Sequence, residues 1–201
     1  MALTDLVLAT APTADLVTLA QAKAQLNVEA LNTADDALIQ AMIAAAMAHL
    51  DGPAGVLGRA LGSQAWTLYL DGFPSGVIRL PLPPLISVGA VAYIDAAGVT
   101  QTLASAKYQV LAGERAELRP AYGLSWPSAR CTPRAVTITF TCGFADVAAL
   151  KLDPIRAAIK LMVGDLYGNR ESVSVGAVAA EIPMSLTVQR LLAPLKIPRV
   201  G

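Results

Sequence analysis

Few side chains in this sequence could do chemistry, and their spacing argues against most of it. The single histidine, His49, has no cysteine, aspartate or second histidine beside it at metal-ligand spacing. Gly123-Leu-Ser-Trp-Pro127 begins like the strand–turn–helix elbow that presents a nucleophilic serine. Pro127 stands where that elbow needs glycine, and His49 lies upstream of Ser125, against the usual order. A turn role for Ser125 fits better. Gly52, Gly55 and Gly58 match a phosphate loop in composition only. No Lys-Ser/Thr pair follows, and the next element reads as a strand, so no helix N-terminus would face a phosphate. Glu114 and Glu117 sit in one turn, whereas paired acid/base carboxylates face each other across a cleft. Trp66, Tyr93, Tyr122 and Trp126 could stack on bases or sugars, but no cluster of basic residues accompanies them. Large aromatics at such strand and turn positions read as core anchors. The expectation is a protein with no catalytic residues, no cofactor and no metal.

Composition narrows the partners. The chain has 201 residues, 55% of them hydrophobic and 15% charged, against about 25% charged in a typical soluble domain. So few charges imply that part of the surface is covered by other protein. Fifteen basic and fifteen acidic residues cancel, and no run of either sign provides the basic face that nucleic-acid binding needs. No apolar run approaches the ~20 residues of a membrane span, and no basic stretch leads into an apolar core as in a secretory signal. Cys131 and Cys142 flank an expected strand. A rise of ~3.3 Å per residue carries them beyond the ~7 Å Cα limit of a disulfide. They read as reduced thiols, as in a protein assembled in the cytoplasm.

The elements follow from patterning. Residues 1–16 have no strong period and read as an extended arm. Thr18-Leu-Ala-Gln21 is a capping box opening a short helix with Leu19, Ala22 and Leu26 on one face. Thr33 to Leu50 is the clearest helix, apolar nearly all round. One face carries Leu38, Ile39, Met42, Ile43, Ala46, Met47 and Leu50, and the other Ala37, Ala41, Ala44, Ala45 and Ala48. Such a helix is buried on two sides, the second side being a neighbouring subunit; alternatively, exposed alanine simply favours helix. After the Gly52–Gly58 loop come strand signals at Gln64–Leu70, Val77–Leu80, Ser87–Ile94, Val99–Leu103, Tyr108–Leu111, Glu117–Arg119 and Ala135–Phe140. Asp95-Ala-Ala-Gly98 is a hairpin turn. Asp153-Pro154 predicts a helix N-cap and first turn, and Gly168-Asn169 its end. Within that helix Gly164 costs roughly 1 kcal/mol and suggests close approach of another backbone. Ser185 caps a last helix over Leu186–Leu192. Pro194 and Pro198 leave an apolar tail to Gly201, which reads as a docking segment because solvated tails are polar. The fold class is α+β, a small core of four helices with an inserted antiparallel β domain and an extended C-terminal tail. The divisions are 1–52, 53–149 and 150–201.

The order of several segments resembles the head–tail connector (adaptor) proteins of tailed phages and phage-like gene transfer agents. The segments are Leu19-Ala-Gln-Ala-Lys-Ala-Gln-Leu26, Asp35-Asp-Ala-Leu-Ile39, Ile78-Arg-Leu-Pro81 and Ala121-Tyr-Gly-Leu-Ser-Trp-Pro127, the last within the turn-rich block Arg115–Pro127. Pro154-Ile-Arg-Ala-Ala-Ile159, Tyr167-Gly-Asn-Arg-Glu171 and Leu191-Leu-Ala-Pro194 close the series. The resemblance implies a dodecameric ring under the capsid portal that continues the DNA channel toward the tail. It implies as partners the portal protein, a stopper or other tail protein, and further copies of the chain. DNA would pass without sequence-specific binding, and no membrane is involved. The setting would be the head–tail interface of the particle, with assembly in the host cytoplasm. Adaptors grip the portal with C-terminal segments, which correspond here to Leu186, Leu191, Leu192, Leu195, Lys196, Ile197, Pro198, Arg199 and Val200. Expected subunit contacts are Ala41, Ala44, Ala45 and Ala48, with Val173, Val175 and Val178. The alternatives are a stopper or tail-completion protein, or a hydrolase with an unrecognised site.

Overall fold

The computed structural model describes residues 5–12, 15–146, 148, 152–169 and 185–197. The chain is α+β and divides into two compact units. One contains residues 5–12 together with Arg59–Asp146; the other contains residues 15–58 and the described residues from 148 onward.

The first unit is built on strands. A five-stranded antiparallel sheet has the order β1 (Asp5–Thr10), β2 (Gln64–Leu70), β8 (Val136–Cys142), β4 (Leu85–Ile94) and β5 (Thr100–Thr102). A three-stranded sheet has the order β3 (Ile78–Arg79), β7 (Glu117–Pro120) and β6 (Tyr108–Leu111). Alternation fixes the register of the central pair. Trp66, Leu68 and Leu70 lie opposite Phe140, Ile138 and Val136, and all six are buried. A slip of one residue would turn every one of them to the other face. Residues 1–16 had been expected to form an arm; instead Asp5–Thr10 pairs with β2 as an edge strand. The helical part therefore does not begin at residue 1.

Close approach constrains Gly89 and, more severely, Gly143. The register of β4 on β8 shifts between Val88 and Ala90, where the Ala90 N–H donates to Thr139 Oγ1 at 2.9 Å. A Cβ on Gly89 would stand 3.0 Å from that oxygen. Gly143 has φ +100°, and a Cβ there would lie 1.9 Å from the Gly62 carbonyl oxygen.

The second unit contains α1 (Leu19–Gln25), α2 (Asp36–Leu50), α3 (Asp153–Gly168) and α4 (Leu186–Leu192). Helix α3 packs on α2 and α4, and α1 packs on both α2 and α3. The capping box forms as patterned. Thr18 Oγ1 accepts from Gln21 N, and Gln21 Oε1 accepts from Thr18 N. Ser185 caps α4 through the Val188 N–H at 3.3 Å. Two expectations need correction. The N-cap of α3 is Leu152, so Asp153 is the first helical residue. There it still favours the positive helix end and meets Arg156 at 3.4 Å. Among the described residues nothing lies within 4 Å of a Cβ built at Gly164, so no described backbone approaches that glycine closely.

Candidate interaction surfaces

The chemically capable residues are occupied or isolated. Glu117 is buried beside two arginines, with Arg119 Nη2 at 2.6 Å and Arg79 Nε at 3.8 Å. The hydrogen bond from Arg119 outweighs desolvation and holds the carboxyl below its usual value. That makes Glu117 a fixed negative charge in the three-stranded sheet. Glu114 meets Arg59 at 3.4 Å. Asp95 closes its hairpin by accepting from the Gln101 side chain and the Val99 N–H, each at 2.9 Å, and these bonds lower its pKa. His49 belongs to the last turn of α2. Ser125 is an exposed residue of the Ala121–Arg130 loop in the β unit. Cys131 is exposed and Cys142 is buried. Among the described residues no group of three or more His, Cys, Asp or Glu side chains could hold a metal ion. No helix there is long and apolar enough to cross a membrane.

The aromatic block divides in two. Trp126 stacks on Phe73 with ring centroids 5.1 Å apart, and its indole N–H donates to the Gly76 carbonyl at 2.6 Å. Phe73 in turn meets Tyr93 edge-on at 5.6 Å. Trp126 is the expected anchor of its loop. Tyr122 is not an anchor: it is 99% exposed, and Leu124 is 45% exposed.

Helix α2 has an exposed outer face. Ile39, Ile43, Ala46 and Leu50 are buried, while Ala41, Ala44, Ala45 and Ala48 are all exposed. Leu38, expected on the inner face, is exposed and extends this outer apolar surface. The alanines named as subunit contacts therefore lie on the solvent side of their own unit. Val173, Val175 and Val178 lie outside the described residues.

The C-terminal segment is used partly by the chain itself. Val188 and Leu192 are fully buried and seat α4 on α3, each burial contributing roughly 1.5–3 kcal/mol. Leu192 thus packs within its own unit. Leu186, in the first turn of α4, is 61% exposed. Leu191, Leu195 and Ile197 are half-buried and Lys196 is exposed. The Ile197 N–H donates to the Leu57 carbonyl at 3.0 Å, which holds Ile197 against the Gly52–Gly58 loop. Pro198, Arg199 and Val200 lie outside the described residues.

One arrangement had no sequence signal. Lys23, a lone cation in an alanine-rich helix, is buried. Its ammonium donates to the Ala30 carbonyl at 3.0 Å, the Asn32 carbonyl at 2.6 Å and Asp36 Oδ1 at 2.7 Å. All three of its donors are used. At the other end of the same turn region, Tyr167 Oη donates to Asp35 Oδ2 at 2.6 Å. Two polar bonds thus fix the start of α2 to α1 and α3.

No protein-family model and no curated protein sequence matches this chain. Solved structures do. The chain is similar to a chain in the neck of an empty GTA particle computed with C6 symmetry. Identity is 25% and the TM-score 0.72, covering 98% of this chain and 97% of that one. It is similar to a chain in the virion of a native gene transfer agent (GTA) particle, at 27% identity and TM-score 0.74 with the same coverage. A chain in the neck of a native GTA particle computed with C12 symmetry shares the fold, at 24% identity and TM-score 0.69.

Proposed function

We propose that this chain is a structural, non-enzymatic subunit of the neck of a phage-like gene transfer particle. Its role is that of a head–tail connector: a ring of copies that joins the portal to the tail and continues the DNA path. The observation that carries this reading is the end-to-end likeness to particle chains, spanning 98% of this chain at 25% and 27% identity. The sixfold symmetry used for one of those necks is in keeping with a ring.

The surfaces fit that role. The exposed alanine face of α2 lets a neighbouring helix approach closely. Leu186, Leu191, Leu195, Lys196 and Ile197, with Pro198, Arg199 and Val200, form the segment that grips the portal. Each such contact is weak. A ring of copies facing a ring of portal subunits multiplies them through effective concentration, with no single contact needing to be strong. Balanced charge suits a channel wall that DNA must pass without being held.

The test is truncation. A chain lacking Leu195–Gly201 remains folded, because Val188 and Leu192 still anchor α4, but no longer joins portal-bearing heads. Heads without tails then accumulate in electron micrographs of producing cells. Normal tail attachment by the truncated chain contradicts the proposal.

A further inference from the structure

The loop between α1 and α2 holds one apolar side chain out in solvent. The two carbonyls that Lys23 grips belong to Ala30 and Asn32, the residues on either side of Leu31. Leu31 itself is 92% exposed. A buried ammonium clamping both sides of an exposed leucine fixes where that leucine points. Such pre-organisation lowers the ordering cost of binding. Glu29, two residues earlier, is also exposed and has no ion pair among the described residues.

The same unit carries a cleft of matching chemistry. Between α1 and α3 lies a space of about 490 Å³ lined by Gln21, Gln25, Arg156, Ala157, Lys160 and Leu161. Asp153, also on its wall, already engages Arg156 at 3.4 Å. Lys160 has no ion pair among the described residues. The cleft therefore offers one open ammonium, two amides and an apolar patch. That complements a carboxylate two residues from a leucine. Leu31 is solvent-exposed, so a chain does not fill its own cleft with it.

We infer that the Glu29–Leu31 loop of one copy seats in the α1–α3 cleft of a second copy. Glu29 faces Lys160, and Leu31 packs against Ala157 and Leu161. Knob and cleft are different surfaces, so the contact is heterologous, and repeated head to tail it closes into a ring when the rotation allows. The biological setting rests on the neck-subunit reading; the contact itself does not.

The experiment uses the full chain carrying Cys131→Ser, with Leu31→Cys in one preparation and Ala157→Cys in another. The two are mixed and mildly oxidised, both as concentrated purified protein and within purified particles. The expected result is a disulfide-linked dimer from the mixture only, and a ladder when one chain carries both changes. Reversing one charge of the pair sets like charges against each other, so Glu29→Lys or Lys160→Glu lowers the yield by about tenfold. Combining the two exchanges restores it. Absence of the linked species from both preparations overturns the inference. So does failure of the double exchange to rescue, as when Lys160 serves a nucleic-acid phosphate and Lys160→Glu alone weakens DNA retention. A ladder in solution from a chain absent from particles keeps the contact and rejects the neck reading.

Discussion

Replacing Lys23 by methionine keeps the buried stem and removes only the ammonium. Three acceptors then lose their donor: the Ala30 and Asn32 carbonyls and the Asp36 carboxylate, now held at 2.6–3.0 Å. Bonds to a charged donor are worth about 1.5–3 kcal/mol each, and removing one partner of a buried ion pair costs about 3–5 kcal/mol. The Asp36 side chain is 27% exposed, so water recovers part of this, and the expected loss is about 2–4 kcal/mol. With two units in one chain, a global melt mixes their transitions. Amide hydrogen exchange on α1 and α2 reports the helical unit alone. At about 1.4 kcal/mol per decade, protection there falls roughly 30- to 700-fold. Asp36→Asn has a smaller effect, because its amide oxygen still accepts from Lys23. A change below about threefold for Lys23→Met would refute the idea that this cation fixes the loop.

Other outcomes follow from single contacts. Gly143→Ala forces a Cβ to 1.9 Å from the Gly62 carbonyl at φ +100° and destabilises the β unit by at least about 2 kcal/mol, read by urea denaturation. Glu117 has a folded pKa below its unfolded value, so its contribution is complete above the ordinary glutamate pKa of about 4.3. That contribution is lost as pH falls through the lower folded value. Glu117→Gln therefore makes the stability of the β unit less steep on the acid side, measured by denaturation across pH. Ala44→Arg and Leu186→Glu alter exposed positions and leave stability within about 0.5 kcal/mol. Each nevertheless reduces incorporation into particles, measured by quantifying the chain in purified particles.

What could be read from sequence was local. The Thr18–Gln21 box, the Ser185 cap and the alternation in β2 and β8 each depend on neighbours within a few residues. Strand β1 was missed because Leu6-Val-Leu-Ala9 does not alternate, and its strand state comes from pairing with β2 more than fifty residues away. Lys23 was missed because a lone lysine in a helix reads as solvated; its acceptors are defined only once the loop has folded back. Leu192 looked like part of a docking tail because apolar tail residues carry no mark of which surface covers them. Trp126 and Tyr122, four residues apart in one turn-rich block, gave the same signal. Among the described residues only the first has an acceptor, Gly76, and a stacking partner, Phe73, within reach.

The direct test of the central claim is an image of the intact particle at a resolution that traces this chain. The account predicts a closed ring between portal and tail, with the Leu186–Val200 segment on the portal side and the outer face of α2 covered by a neighbouring copy. Particles that lack the chain, or that carry it away from the neck with that face open to solvent, contradict it.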